Sequence, residues 1–159
     1  MNMKEIVSEI LANPRFQEGS AWMRVSCLPG DTIVRKGELG KTLFLIEAGT
    51  VRVLGDTDID GGKKISPGLC DLNEGSVFGD VCLFGMRKRT ASVTSLTKVS
   101  LIELDSELLR VYLDDNPVIG YLFLKSLFQV MSNRLELANE RIENLLAWGL
   151  KVHDIDKYL

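Results

Sequence analysis

The sequence predicts a mainly β fold, an antiparallel, jelly-roll-like β-roll with flanking helices, followed by a long C-terminal helix. Between about Trp22 and Leu104, short runs rich in β-branched and aromatic residues alternate with glycine turns, as in an antiparallel sandwich or barrel. After Leu104 the apolar residues take up the period of helices. A chain of 159 residues can form one such domain, so we expect 1–159 to be a single domain.

The N-terminal segment, 1–20, is predicted to be helical. Over 3–12, charged residues separate apolar residues that follow helical spacing, namely Ile6, Val7, Ile10 and Leu11. The pair Asn13 and Pro14 then predicts the end of this short amphipathic helix.

The β-roll is assigned to 21–104. Strands are predicted at 23–27, 32–35, 42–47, 50–54, 91–95 and 99–104. Glycine-bearing turns separate the strands. The polar stretch 55–68 is expected to be the mobile end of a hairpin.

The C-terminal helices are assigned to 105–148. Asp105 is a plausible helix start, and Asn116 followed by Pro117 resembles a cap with proline at the first helical position. The second helix is expected to run to about Trp148 and to end at Gly149.

The long helix carries a second pattern, in which apolar residues recur at alternating steps of four and three. The series consists of Leu124, Phe128, Met131, Leu135, Ala138, Ile142 and Leu145. A helix packed on its own domain would also show an apolar stripe. Strict alternation over about three heptads favours a helix partner, so we expect a homodimer.

The chain carries a net charge of −3, which argues weakly against a nucleic-acid-binding surface. The only tight basic cluster is Arg87, Lys88 and Arg89. The N-terminus lacks a secretory signal, and the most apolar stretch, 118–131, is too short to span a bilayer. We therefore expect a cytoplasmic protein without a membrane segment.

The cysteines and the histidine give no sign of a metal site. Cys27, Cys70 and Cys82 are odd in number and far apart, which fits neither a disulfide framework nor a zinc site. His153 is the only histidine, and we expect it at the surface near a fraying terminus. No metal or cofactor is expected.

One stretch carries recognisable chemistry, 75–93, which reads GSVFGDVCLFGMRKRTASV. Gly79 would let the backbone approach a ligand closely, and backbone N–H groups at a helix start favour an anion. A guanidinium, here Arg89, can clamp phosphate oxygens, and Asp80 can accept hydrogen bonds from a ribose hydroxyl. The arrangement suits a cyclic sugar-phosphate, although each residue alone also fits a turn or a solvated charge.

Two blocks in order, GDTIVRKGELGKTLFLIEAGTVRV (30–53) and VFGDVCLFGMRKRTASV (77–93), resemble the cyclic nucleotide-binding domain. This domain is shared by catabolite activator proteins, protein kinase A regulatory subunits and cyclic nucleotide-gated channels. The second block is similar to the phosphate-binding cassette of the family, here 77–91. The resemblance implies a β-roll that binds cAMP or cGMP.

The resemblance also implies roles for individual residues. Arg89 matches the arginine that pairs with the cyclic phosphate. Gly79, Val81 and Cys82 fall where backbone N–H groups line the phosphate and ribose. Thr90 stands where a small or hydroxyl residue contacts phosphate or base, and a threonine here is similar to members that bind cGMP.

Asp80 is the main departure, because the family usually has a glutamate that binds the ribose 2′-hydroxyl. The long helix resembles the dimer helix of catabolite activator proteins, where a Thr-Ser pair reaches the adenine. Ala138 and Asn139 occupy that place, and of the two only Asn139 could read a base edge with its side chain.

Taken together, these features predict a dimeric cyclic nucleotide sensor that is not an enzyme and acts on an unknown effector protein. The last ten residues, LKVHDIDKYL, are too short for a helix-turn-helix, so no DNA-binding domain is expected in this chain. Two alternatives stay open. The chain could be the sensory part of a catabolite-activator-type transcription regulator, or an interaction module whose pocket no longer binds nucleotide.

Overall fold

A computed structural model of the chain describes residues 1–59 and 63–152. By its internal contacts the chain divides into two compact units, Met1–Phe123 and Leu124–Leu159. His153, predicted at the surface, lies outside the described residues, as do Gly61 and Gly62 of the predicted hairpin end.

The elements follow one another as helix, strands and two further helices. Their bounds are α1 Met3–Leu11, β1 Trp22–Cys27, β2 Thr32–Val34, β3 Leu39–Gly40, β4 Thr42–Ala48, β5 Val51–Leu54, β6 Thr57–Ile59, β7 Lys63–Ile65, β8 Gly68–Leu72, β9 Val77–Phe78, β10 Arg87–Lys88, β11 Ser92–Ser95, β12 Val99–Asp105, α2 Ser106–Asp115 and α3 Pro117–Val152.

The predicted fold class is confirmed. The strands form two four-stranded antiparallel sheets, in the orders β1-β12-β4-β9 and β2-β11-β5-β8. Residues of both sheets meet in an apolar cluster, with Phe44 stacked on Phe78 at a ring-centroid distance of 4.9 Å. The buried members of this cluster are Cys27, Val34, Phe44, Ile46, Val51, Phe78, Val93, Val99 and Leu101.

The N-terminal helix is confirmed, and its start is locally encoded. Asn2 Oδ1 accepts from the backbone N–H of Glu5 at 2.9 Å, and the Glu5 carboxylate accepts from the N–H of Asn2 at 2.8 Å. This capping box satisfies two of the donors that every helix leaves free at its start.

Trp22, the first residue of β1, is hydrogen-bonded to the segment that follows α1. Its indole Nε1 donates to the carbonyl of Phe16 at 3.0 Å, and only 8% of the residue is exposed. The Arg24 guanidinium carbon lies 5.4 Å from the centre of the Trp22 ring. The indole is therefore buried with its one donor satisfied.

Several very short strands were not predicted. The two-residue strands β3 and β10 pair in antiparallel fashion, with Arg87 opposite Gly40 and Lys88 opposite Leu39. Within the predicted hairpin end, β6 pairs with β7. The pairing of β3 with β10 matters most, because it brings the end of the cassette against the chain that follows Gly37.

The predicted helix starts are confirmed, whereas the predicted end of α3 is wrong. Asp105 caps α2, and α3 begins at Pro117. Gly149 lies inside α3, which continues to Val152. Glycine within a helix costs only about 1 kcal/mol relative to alanine, which one turn near a helix end can tolerate.

The second unit contains most of α3. All seven residues of the predicted heptad seam are exposed, with Leu124 at 42% and Phe128 at 72%. Among the described helices, none is both long enough and apolar enough to cross a membrane.

We predict that Asp105→Ala lowers the free energy of unfolding by about 1 kcal/mol, because Asp105 Oδ1 accepts from the N–H groups of both Glu107 and Leu108 at 3.0 Å. Chemical denaturation measures the change. Asp105→Asn keeps the oxygen acceptor and should retain most of the stability. An equal loss in both variants would contradict the capping role.

Candidate functional site

The predicted cassette begins with a turn that only glycine suits. Gly79 follows β9 with a φ of 77° and begins a single 3-10 turn, Asp80–Cys82. A Cβ at Gly79 would lie 2.6 Å from Arg89 Nη1 and 2.8 Å from the carbonyl oxygen of Thr42. Both the backbone conformation and the space therefore require glycine here.

Arg89 is held by backbone hydrogen bonds at the other end of the cassette. Its N–H donates to the carbonyl of Glu38 at 2.8 Å, and its own carbonyl accepts from the N–H of Gly37 at 2.8 Å. Its basic neighbours Arg87 and Lys88 are exposed, whereas only 7% of Arg89 is exposed. Arg89 is therefore the member of the basic cluster that lies inside the domain.

The Arg89 guanidinium contacts three other side chains and one backbone oxygen. Nη1 donates to the carbonyl of Thr42 at 2.9 Å and to Cys82 Sγ at 3.5 Å, and Nη2 donates to Thr42 Oγ1 at 3.0 Å. The guanidinium carbon lies 5.6 Å from the centre of the Phe44 ring, within the range of a cation–π contact.

Gly40 is the second glycine that makes room for this side chain. A Cβ at Gly40 would lie 2.3 Å from Arg89 Nε and 2.4 Å from its guanidinium carbon. Two glycines therefore make room for the guanidinium, Gly40 beside Nε and Gly79 beside Nη1. Gly40 lies in the block 30–53 that resembles the family, and its role in the structure is to allow the close approach of Arg89.

The charge of the guanidinium is the notable electrostatic feature of the site. Arginine stays protonated in proteins, and a buried charge is costly unless it is paired. Its described partners are a carbonyl, a hydroxyl, a thiol and an aromatic ring, none of which carries a negative charge. The site is therefore suited to bind an anion.

The other predicted site residues lie around this centre or on α3. Asp80 is half-buried, and Val81 and Thr90 are exposed. Of the predicted backbone donors, the N–H of Cys82 donates to the carbonyl of Gly79 at 3.1 Å, whereas the N–H of Val81 has no acceptor within the 3-10 turn. Asn139 is exposed on α3, in the second unit. Ligand contacts by these residues stay predictions.

The three cysteines are free thiols. Burial, and then the nearby Asp31 carboxylate, raise the pKa of the Cys27 thiol, which keeps it protonated. Cys82 is fully buried and touches Arg89 through its sulfur. Among the three, Cys82 is the one whose sulfur contacts Arg89, and its backbone contact to a ligand stays a prediction.

Sequence reasoning missed Thr42 and Phe44. Thr42 is 47 residues from Arg89 along the chain, and no local pattern links the two. One signal was available, because Thr42 is the polar residue that opens the apolar run LFLI of β4.

The family model for the cyclic nucleotide-binding domain matches residues 24–116, which is more than half of the chain. The chain belongs to the cyclic nucleotide-binding domain family. The match includes both the cassette and the strands that hold Arg89.

Known proteins resemble this domain over only part of their length. Human cyclic nucleotide-gated channel beta-3 is 40% identical over 93 residues, which make up 57% of this chain and 11% of the channel subunit. The CRP-like cAMP-activated global transcriptional regulator of Mycobacterium tuberculosis is 29% identical over 117 residues, 74% of this chain and 49% of the regulator. The chain therefore spans about half of that regulator and a small part of the channel subunit.

The fold is also that of a solved catabolite activator protein. The crystal structure of Thermus thermophilus catabolite activator protein superposes with a TM-score of 0.61 at 24% identity, covering 84% of this chain and 63% of that one. At this identity the likeness shows the fold alone.

We predict that Gly40→Ala weakens cyclic nucleotide binding by this domain about tenfold to 100-fold, because the new Cβ would displace the guanidinium and disturb its charge-assisted hydrogen bonds. Isothermal titration measures the change. Gly55→Ala is the matched control, since its Cβ would meet only the flexible end of Leu69 at 3.3 Å. Equal affinities in the two variants would show that the space at Gly40 is not needed.

Proposed function

We propose that this domain is a sensor that binds cAMP, with cGMP as the alternative ligand, and that it catalyses no reaction. The observation that supports the proposal is the Arg89 guanidinium, which is 7% exposed and surrounded by uncharged partners. A cyclic phosphodiester carries one negative charge, and it would neutralise the buried cation by charge-assisted hydrogen bonds.

The turn that precedes Arg89 supplies the remaining contacts in this proposal. Backbone N–H groups at Gly79, Val81 and Cys82 would line the phosphate and ribose, and Asp80 would accept from the ribose 2′-hydroxyl. Aspartate reaches roughly 1 Å less far than glutamate. The contact is then made by a shift of the turn or through a bridging water, and we expect a weaker affinity than glutamate would give.

Selection of the base is assigned to Thr90, and a base contact by Asn139 of the second unit is a separate prediction. cAMP is placed first because the Mycobacterium tuberculosis relative is named as a cAMP-activated regulator. cGMP remains the alternative because Thr90 resembles the threonine of members that bind it. The ratio of the two affinities measures what these side chains select.

The domain would act as a dimer through α3. Seven exposed apolar side chains in a strict four-three order form a seam that a second copy of the helix would cover. Nucleotide binding would favour one arrangement of the dimer, and an effector protein would respond to that arrangement.

A second candidate is the sensory part of a transcription regulator. The match to the Mycobacterium tuberculosis regulator over 117 residues favours it. Sequence-specific binding of DNA by the product of the whole gene, strengthened by nucleotide, would support this candidate over an independent sensor.

Arg89→Ala is expected to weaken nucleotide binding by about 100-fold or more, because it removes both the charge and the donors that face the phosphate. Isothermal titration with cAMP and then cGMP measures the change in affinity. Lys88→Ala removes an exposed charge one residue away and should bind almost like the unchanged chain.

Two results would argue against the proposal. Unchanged affinity in Arg89→Ala would mean that the phosphate binds elsewhere. If the unchanged chain shows neither heat nor thermal shift with millimolar cAMP or cGMP, the domain is an interaction module that has lost its ligand.

Leu135→Glu should shift the dimer toward monomer at tens of micromolar, because it buries a charge in the middle of the seam. Sedimentation velocity measures the shift. Leu137→Glu is the matched control, since Leu137 is similarly exposed on α3 but lies off the four-three series. A monomeric unchanged chain, or equal effects of the two substitutions, would rule out the seam.

A further inference from the structure

The Arg89 guanidinium has two donors that the described hydrogen bonds do not use. A guanidinium has five N–H donors, one on Nε and two on each terminal nitrogen. Nη1 uses both of its donors, on the Thr42 carbonyl and on Cys82 Sγ. Nη2 uses one, on Thr42 Oγ1. The described hydrogen bonds therefore leave the donor on Nε and the second donor on Nη2.

Thr42 accepts hydrogen bonds from both terminal nitrogens of the guanidinium, Nη1 and Nη2. It accepts with its carbonyl oxygen at 2.9 Å and with its hydroxyl oxygen at 3.0 Å. The remaining donors lie on the adjacent edge, between Nε and Nη2. Two parallel donors on such an edge match two oxygens of a phosphate group.

The backbone of Thr42 is fixed on both sides, which makes it a rigid anchor. Thr42 is the first residue of β4 and pairs with Asp105 of β12. The carbonyl of Lys41 accepts from the N–H of Ser106 at 2.9 Å, and Leu43 is fully buried. A β-branched side chain on such a backbone has few rotamers.

We propose that Thr42 is a positioning residue that orients Arg89 so that its Nε and Nη2 donors bind the two non-ester oxygens of a cyclic phosphodiester. This inference rests on the proposed function. It adds that phosphate recognition depends on a hydroxyl outside the cassette, contributed by the first residue of a central strand. Cys82 assists by taking the second Nη1 donor.

Thr42→Val keeps the shape of the side chain and removes the hydroxyl. We expect it to bind cAMP about tenfold more weakly, the change typical of one lost hydrogen bond to a charged group. Thr42→Ser keeps the hydroxyl and should restore binding. Thr94→Val, a half-buried threonine of β11 that takes no hydrogen bond from Arg89, is the matched control and should bind like the unchanged chain.

Two further measurements separate positioning from a general effect on structure. In the Arg89→Lys background, Thr42→Val should weaken binding no further, because the guanidinium that it positions is gone. In the ligand-free chain, NMR should resolve separate Nη signals for Arg89, and Thr42→Val should average them by freeing rotation. Thr42→Ala serves as a second variant if the valine does not fold.

The outcomes distinguish this inference from the proposed function. Tight cAMP binding by Thr42→Val, with Nη signals still resolved, overturns the positioning role and leaves the sensor intact. Averaged Nη signals in the unchanged chain also overturn it. If the unchanged chain binds no nucleotide, the proposed function fails, and loss of the resolved Nη signals in Thr42→Val would still support positioning of Arg89.

Discussion

The burial of one permanently charged side chain is the constraint on which this site depends. Arg89 can lie inside the domain only because Gly40 and Gly79 have no Cβ at the points where the guanidinium passes. Its donors then need acceptors, and Thr42 and Cys82 supply them without supplying a negative charge. The result is a buried cation whose described partners carry no negative charge, and the proposed phosphate site rests on this feature.

The β-roll meets this constraint by assembling distant parts of the chain. The pairing of β3 with β10 places Arg89 beside the segment that contains Gly40, and β4 begins with Thr42 directly afterwards. Because β4 is an inner strand of its sheet, Thr42 and Phe44 have little freedom to move. The turn of the cassette is therefore held against an inner strand of the sheet by the contacts of Arg89 with Thr42 and Phe44.

Much of the fold could be predicted from periodicity and turn chemistry. Glycine turns separate many of the strands, and the helices begin at recognisable residues such as Asp105 and Pro117. The two-residue strands β3 and β10 were missed because a pair of residues has no period. The end of α3 was misplaced because Gly149 is compatible both with a helix end and with a helix interior.

Only some residues of the candidate site could be predicted from the sequence. The order of Gly79, Asp80 and Arg89 pointed to the cassette, and the structure brings Gly79 and Arg89 into contact. The partners of the guanidinium could not be predicted, because Thr42 is far away in the chain and its contact depends on the strand register. Tertiary contacts of this kind leave no local signal in a single sequence.

The position of Trp22 has a practical consequence for spectroscopy. The chain has two tryptophans, and Trp22 is 8% exposed in the first unit whereas Trp148 is 65% exposed in the second. A buried indole fluoresces at shorter wavelength than one in water, so the two emissions differ in colour and in access to quenchers. Without any added label, the protein carries one optical reporter for the packing of the roll and another for the environment of the long helix.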